Sequence, residues 1–168
     1  LKFNIKNFQE FKNKINYIVV NDQPENIHDL LSSDDKVTSD NKKILNSIKR
    51  DNFQRNQLQK GIEESDNDDL IIISDLDEIP NLNKIEKDEV GNSIVIFKQK
   101  MFYYKLNLVY ENFVWFGSKA TKKKHLKSPQ DLRNVKNKKY EFWRIDTFFS
   151  NKKYGNIIPC PIRGVHIC

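Results

Sequence analysis

Three carboxylates crowd into four residues, Asp75, Asp77 and Glu78, directly after the aliphatic run Leu70-Ile71-Ile72-Ile73 and Ser74. On an extended backbone, side chains two apart point the same way, so Asp75 and Asp77 are expected to face one ligand together. Carboxylates that close repel each other unless a proton or a cation relieves them. A hard divalent ion suits the task. Mg²⁺ or Mn²⁺ takes one or two carboxylates and fills its remaining positions with water and phosphate oxygens, and as a Lewis acid it stabilises a departing diphosphate. A bare Asp-x-Asp is a weak pattern, because a solvated acidic turn looks the same. The apolar run before it and Ile79-Pro80 after it raise the ligand-binding reading.

These acids need a frame. Four consecutive aliphatic residues, three of them β-branched, predict a strand over 70–73 buried on both faces, as at the centre of a parallel sheet. Loops at the carboxyl ends of such strands are where open α/β sheets bind ligands. Upstream, Ile15-Asn16-Tyr17-Ile18-Val19-Val20 predicts a strand that ends in the turn cluster Asn21-Asp22-Gln23-Pro24. Residues 21–40 read as irregular. Thr38, Ser39 and Asp40 offer N-cap oxygens for a helix over 41–64, whose apolar stripe is Ile44, Ile48, Phe53, Leu58 and Ile62. Strand, helix and buried strand would make a βαβ unit. Further on, 81–90 predicts a short helix, 93–104 a second β-rich run, and Ser128 caps a short helix over 129–135.

The 168 residues fit a single domain with a real core. The net charge of +6 is unevenly spread: residues 1–90 carry −6 and residues 91–168 carry +12. A basic half beside an acidic site suits an anionic ligand bridged by a cation. The same charge raises a second possibility, a nucleic-acid-binding module, although Lys outnumbers Arg and no DNA- or RNA-reading motif occurs. The Lys122-Lys123-Lys124 run reads as a solvated loop. The only two cysteines, Cys160 and Cys168, read as free thiols. No apolar run approaches the ~20 residues that span a bilayer, so no membrane segment is expected. No signal peptide is visible, and both ends are expected to be cut. The chain as given is expected to be soluble, and cytoplasmic if no anchor or signal lies upstream.

Haloacid-dehalogenase-like phosphatases also place Asp-x-Asp after an apolar strand, but they need a later strand ending in paired acids. Residues 91–168 hold only Glu111, Asp131, Glu141 and Asp146, all isolated.

The segment Arg50-Asp51-Asn52-Phe53-Gln54-Arg55-Asn56, then Gly61, then 69–80 with Asp75-Leu76-Asp77-Glu78-Ile79-Pro80 resembles glycosyltransferase family 17. Its members include the β-1,4-mannosyl-glycoprotein 4-β-N-acetylglucosaminyltransferases of N-glycan processing. Further matches are Phe102-Tyr103-Tyr104, Trp115, Gly117 and Ser128-Pro129-Gln130-Asp131-Leu132-Arg133. Gly164-Val165-His166 looks like the family's Gly-Trp-His element, with Val165 where Trp is expected. The resemblance covers most of the chain and is most specific over 50–80. It implies an α/β, GT-A-like (Rossmann-like) mixed sheet flanked by helices, here lacking its first strand. It implies an inverting, metal-dependent transfer from a UDP-sugar, UDP-N-acetylglucosamine first among them, to a glycan acceptor.

Inversion in one displacement needs a general base for the acceptor hydroxyl, and Asp131 and Glu78 are the candidates. Asp75, Asp77 and His166 are the expected ligands of Mn²⁺ or Mg²⁺. Arg50, Arg55, Ser74, Asp75, Lys119 and Arg133 are the expected contacts of the nucleotide-sugar. Trp115 and Trp143 could each stack on a sugar or fill the core. An inactive or truncated relative is the remaining alternative.

Overall fold

The computed structural model describes residues 3–85, 90–103 and 108–135, together with the backbone of 157–160 and 165–167. The chain forms two compact units, Leu1–Glu64 and Ser65–Cys168. Trp143 and Cys168 lie outside the described residues. Among the described residues no helix is long and apolar enough to cross a membrane.

The first unit is helical. A kinked 3-10 helix, Ile5–Lys14, is capped by Asn4, whose side chain accepts from the Lys6 N–H. Residues 15–20 join no ladder, so the predicted strand is absent. The run instead contributes Tyr17 to a small aromatic cluster, in which Phe3 stacks on Phe8 at 5.6 Å and on Tyr17 at 4.5 Å.

Helix α1, Lys36–Asn56, begins five residues before the expected start. Asp35 is its cap: the carboxylate accepts from the Thr38 N–H at 2.6 Å, which makes it a better terminus than the later Thr, Ser or Asp. The helix ends before Gln57 and restarts only as the single turn α2, Gln59–Ile62. The apolar stripe is mostly left outside: Ile44, Ile48 and Leu58 are exposed, and only Ile62 is buried. A polar contact does part of its work. Asn46, 4% exposed, accepts from the His28 N–H and donates to the His28 carbonyl, each at 2.8 Å, which pins the preceding loop to α1.

The second unit is a mixed α/β structure of two four-stranded sheets. Its strands are β1 (Leu70–Ile73), β2 (Glu78–Ile79), β3 (Ile94–Phe97), β4 (Gln99–Phe102), β5 (Val109–Trp115), β6 (Lys119–Lys122), β7 (Ile157–Cys160) and β8 (Val165–Ile167). The first sheet has the order β1-β6-β3-β7 and the second β2-β8-β4-β5. The 93–104 run thus makes two strands, with Lys98 between them. The segment after Pro80 is a 3-10 turn, Leu82–Lys84, and residues 86–89 of the helix expected there lie outside the described residues.

Strand β1 forms where its aliphatic run predicts, but not in a parallel sheet. It pairs antiparallel with β6, Leu70 opposite Lys122 and Ile73 opposite Lys119, and it ends the strand order. The long aliphatic run is explained by packing on both faces. Leu70 and Ile72 lie against the core of Val90, Val95, Phe97 and Ala120, while Ile71 and Ile73 are buried in their own right. Helix α3, Pro129–Asn134, packs on β1 and β6. Ser128 caps it as expected, its hydroxyl accepting from the Asp131 N–H at 3.1 Å, with Pro129 in the first turn, where no N–H is needed.

Three of the described connections change sheet at one edge. Residues 74–77 lead from β1 to β2, Lys98 leads from β3 to β4, and 116–118 lead from β5 back to β6. The acid-rich segment lies at this seam.

Candidate functional site

The extended backbone stops at Ser74. A turn spans Asp75 to Glu78, closed by the Glu78 N–H donating to the Asp75 carbonyl at 3.0 Å. Asp75 and Asp77 are therefore neighbours on a turn, not alternate residues of a strand, which corrects the geometry expected from the spacing. Leu76 at the tip is fully exposed, Asp77 is exposed and the Asp75 side chain is 39% exposed.

Glu78 goes the other way. Its side chain has no exposed surface. One oxygen accepts from Trp115 Nε1 at 2.7 Å and Arg133 Nη2 at 2.7 Å. The other accepts from Arg133 Nη1 at 2.8 Å, the Asp75 N–H at 3.1 Å and Ser118 Oγ at 3.2 Å. Burial pushes the Glu78 carboxyl up, but the bonds from Arg133, Trp115 and the Asp75 N–H outweigh it and hold it below the ordinary glutamate value. A carboxylate so enclosed and so acidic is a poor proton acceptor. Glu78 was expected as a candidate base; the geometry makes it the anchor of the turn instead.

Arg133 completes the anchor. Its planar fork meets both oxygens of Glu78, the bidentate arrangement that a lysine cannot form. Nη2 also reaches Asp75 Oδ2 at 2.5 Å. Burial would lower the Arg133 pKa, but Glu78, Asp75 and Asp77 raise it further, so the guanidinium stays charged. Arg133 thus supplies part of the positive charge that the acidic turn requires.

Lys119 was expected to neutralise phosphate. The structure turns its ammonium group to the end of α3, where it donates to the carbonyls of Arg133 and of Val135, the latter at 2.5 Å. Those are carbonyls that a helix end leaves without partners. Lys119 is 6% exposed, and its pKa falls to about 8, because burial and the nearby Arg133 disfavour its charge while Glu78 opposes them. Ser74 also serves the turn: its hydroxyl donates to the Glu78 carbonyl at 3.0 Å and lies 2.6 Å from Ser118 Oγ.

Gly117 is dictated by this packing. A Cβ there would sit 1.8 Å from Glu78 Oε1 and 2.2 Å from Trp115 Nε1, closer than any side chain can tolerate. Ser118 and the hydrogen-bonding role of Trp115 were not foreseen from the sequence. The available signal was a glycine between an indole donor and a hydroxyl just ahead of a strand, which marks close backbone approach.

The remaining expected residues fall in three places. Asp131 lies exposed in the first turn of α3, two residues from Arg133. Residue 166 sits in β8 directly across the ladder from Glu78, so the fold brings the Gly-Val-His segment beside the acidic turn; nothing is described of the His166 side chain. Arg50 and Arg55 belong to the first unit, where Arg55 pairs with Asp51 at 3.1 Å. The lysine run is not a free loop. Lys122 and Lys124 pair with Asp68 at 3.3 and 2.7 Å, and Lys123 donates to the Ser65 carbonyl.

Among the described residues no three His, Cys, Asp or Glu side chains converge on one metal position. The donors that the turn does offer, the carboxylates of Asp75 and Asp77, are hard oxygens of the kind Mg²⁺ or Mn²⁺ takes in pairs when phosphates and water complete the shell. Comparisons with protein-family models, curated proteins and solved structures found no match to this chain.

Proposed function

We propose that the second unit is the catalytic part of a metal-dependent, inverting glycosyltransferase of GT-A-like type, transferring a sugar from a UDP-sugar to a glycan acceptor, with N-acetylglucosamine the first candidate. One observation carries this reading: an exposed Asp75-Leu76-Asp77 turn at the end of a buried strand, held from beneath by a saturated Glu78–Arg133 pair. A turn that served only solubility would need no such foundation.

In this reading Asp75 and Asp77 hold Mn²⁺ or Mg²⁺, and the ion supplies Lewis-acid stabilisation of the leaving diphosphate. The chain's own residues do the positioning. Glu78 fixes the backbone of the turn through the Asp75 N–H, and Arg133 fixes one oxygen of Asp75. Such pre-set geometry lowers the cost of binding, because less freedom is lost when the ligand arrives. Asp131, exposed on the helix that also carries Arg133, is the remaining candidate to take the acceptor proton. His166 is placed one strand away from the turn, and its segment is the third ligand candidate.

The test is calorimetric titration of the full chain with UDP-N-acetylglucosamine, with and without Mn²⁺. Binding is expected only with the ion, and Asp77→Ala is expected to weaken it at least ~100-fold, about 2.7 kcal/mol. Equal binding by wild type and Asp77→Ala would overturn the proposal.

A further inference from the structure

Strand β5 is the outer strand of the second sheet's described order, and five of its seven residues are exposed. Its pairing with β4 is irregular. Lys100 faces Val114 and Phe102 faces Val109, so two steps along β4 span five along β5. The extra residues arch out of the ladder, as in an extended bulge. Tyr110 and Phe113, three apart, would point to opposite faces of a regular strand. The arch brings them together: their rings lie 5.9 Å apart and 23° from parallel. Phe113 then meets Trp115 at 6.3 Å and 35°. Tyr110 is 55% exposed and Phe113 41%, while Trp115 is half-buried. The row ends at the site, because the Trp115 indole N–H is the donor to Glu78 Oε1.

We infer that Tyr110 and Phe113 form the stacking platform of a carbohydrate-binding subsite that receives the acceptor glycan and leads it along β5 toward the acidic turn. The inference rests on the glycosyl-transfer reading for the identity of its occupant. Three features favour a sugar over another protein. The Tyr110 and Phe113 rings lie within 23° of parallel and are exposed, with Trp115 tilted by 35° beside them, offering apolar ring surface for the C–H face of a pyranose. Polar residues separate them in sequence: Glu111 and Asn112 are both exposed, suited to the hydroxyls at the edge of a pyranose. The core of a protein interface is instead depleted of charged residues. Finally, the row is continuous with the anchor of the acidic turn, where an acceptor must end. Trp115 is the rim of this platform. Its N–H is already engaged by Glu78, so substitution there would disturb the turn, whereas Phe113 meets only the indole ring and Tyr110 is one ring further removed.

The experiment uses the full chain with neutral trisaccharides of N-acetylglucosamine, mannose and galactose, without nucleotide or metal. Saturation-transfer NMR reads which sugar protons contact the protein, and titration reads affinity. At least one trisaccharide is expected to bind, with saturation strongest at its ring C–H protons. Tyr110→Ala and Phe113→Ala are each expected to weaken it about tenfold, as for the loss of one stacked ring, while Tyr110→Phe retains most of the affinity. Circular dichroism checks that the variants fold, and their exposure makes loss of fold unexpected. Asp77→Ala is expected to bind the trisaccharide as wild type does. That separates the two ideas: Asp77→Ala alone abolishing UDP-sugar binding, with no effect of the ring variants on trisaccharide binding, overturns the platform and spares the donor site. Absence of saturation transfer from all three sugars also overturns it. So does sedimentation showing that the ring variants convert a dimer to a monomer without changing sugar binding, which would make β5 a contact between copies of the chain.

Discussion

Replacing Arg133 by Met tests the foundation of the site. The substitution keeps roughly the length of the side chain and removes every donor. Glu78 would keep the Trp115, Ser118 and Asp75 N–H bonds but lose both guanidinium contacts, the charged donors bonded to it, and retain only the more distant charge of Lys119 among the described residues. With no exposed surface on the Glu78 side chain, water cannot take the place of Arg133. Removing one partner of such a buried pair costs about 3–5 kcal/mol, because an uncompensated charge stays inside. That is a large part of the ~5–15 kcal/mol that holds a domain together. Urea denaturation at pH 7 reads the loss directly. Adding Glu78→Gln to Arg133→Met removes the stranded charge, so the double variant should be more stable than Arg133→Met alone.

The pH dependence supplies a second reading of the same variant. In the wild type the folded Glu78 pKa lies below its ordinary 4.5. Its stabilising contribution is therefore present above pH 4.5 and lost as pH falls through the folded value. In Arg133→Met, burial has much less to oppose it, and the folded pKa should move upward. The gap in stability between wild type and variant should then narrow in acid and widen toward neutrality. A cost below ~1 kcal/mol at pH 7, or a gap that does not change with pH, would refute the account of Glu78 as a buried, ionised anchor.

Two further outcomes follow from the same geometry. Gly117→Ala drives a methyl group to within 1.8 Å of Glu78 Oε1, so it should destabilise by several kcal/mol through displacement of the carboxylate or overpacking; a melting temperature within a degree of wild type would show that the segment yields easily. Lys119, with a folded pKa of about 8 against an ordinary 10.5, binds its proton less tightly folded than unfolded, so its contribution to stability should rise with pH between those values, by at most ~3.4 kcal/mol. The stability difference between wild type and Lys119→Met, followed by urea titration from pH 7 to 10, should shift in favour of wild type; a flat difference would mean that the lysine is not desolvated.

Local pattern proved enough for β1, for the two strands of 93–104 and for the Ser128-capped helix, because each is encoded by adjacent residues: an aliphatic run, a β-rich run, a hydroxyl before proline. It misjudged 15–20, where an equally β-rich run finds no ladder. A strand requires a partner, and the sequence of one segment does not state whether a partner exists. The start of α1 failed for a milder reason. Asp35 and the three later residues are all competent caps, and the choice was made by the loop that Asn46 and Asp34 hold in place, the latter through Lys42 and the Leu31 N–H.

The acidic cluster shows the same limit at the level of chemistry. Read along the chain, Asp75, Asp77 and Glu78 are near-equivalent carboxylates. What separates them is contributed from far away: Trp115, Ser118 and Arg133 lie 37, 40 and 55 residues beyond Glu78 and all three bond to its carboxylate. Each of the three is also prepared by its own surroundings. Gly117 lets the Trp115–Ser118 segment approach, and Lys119 holds the end of the helix that carries Arg133. The buried acid thereby becomes structure, and the two aspartates beside it keep their surface. Three identical charges on one short loop would repel one another and splay it; sinking one of them onto an arginine that also grips Asp75 is what allows the other two to share the turn. The presence of Glu78 after an Asp-x-Asp is thus best understood as the means by which the pair is held, and it is on that pair that any metal chemistry at this seam depends.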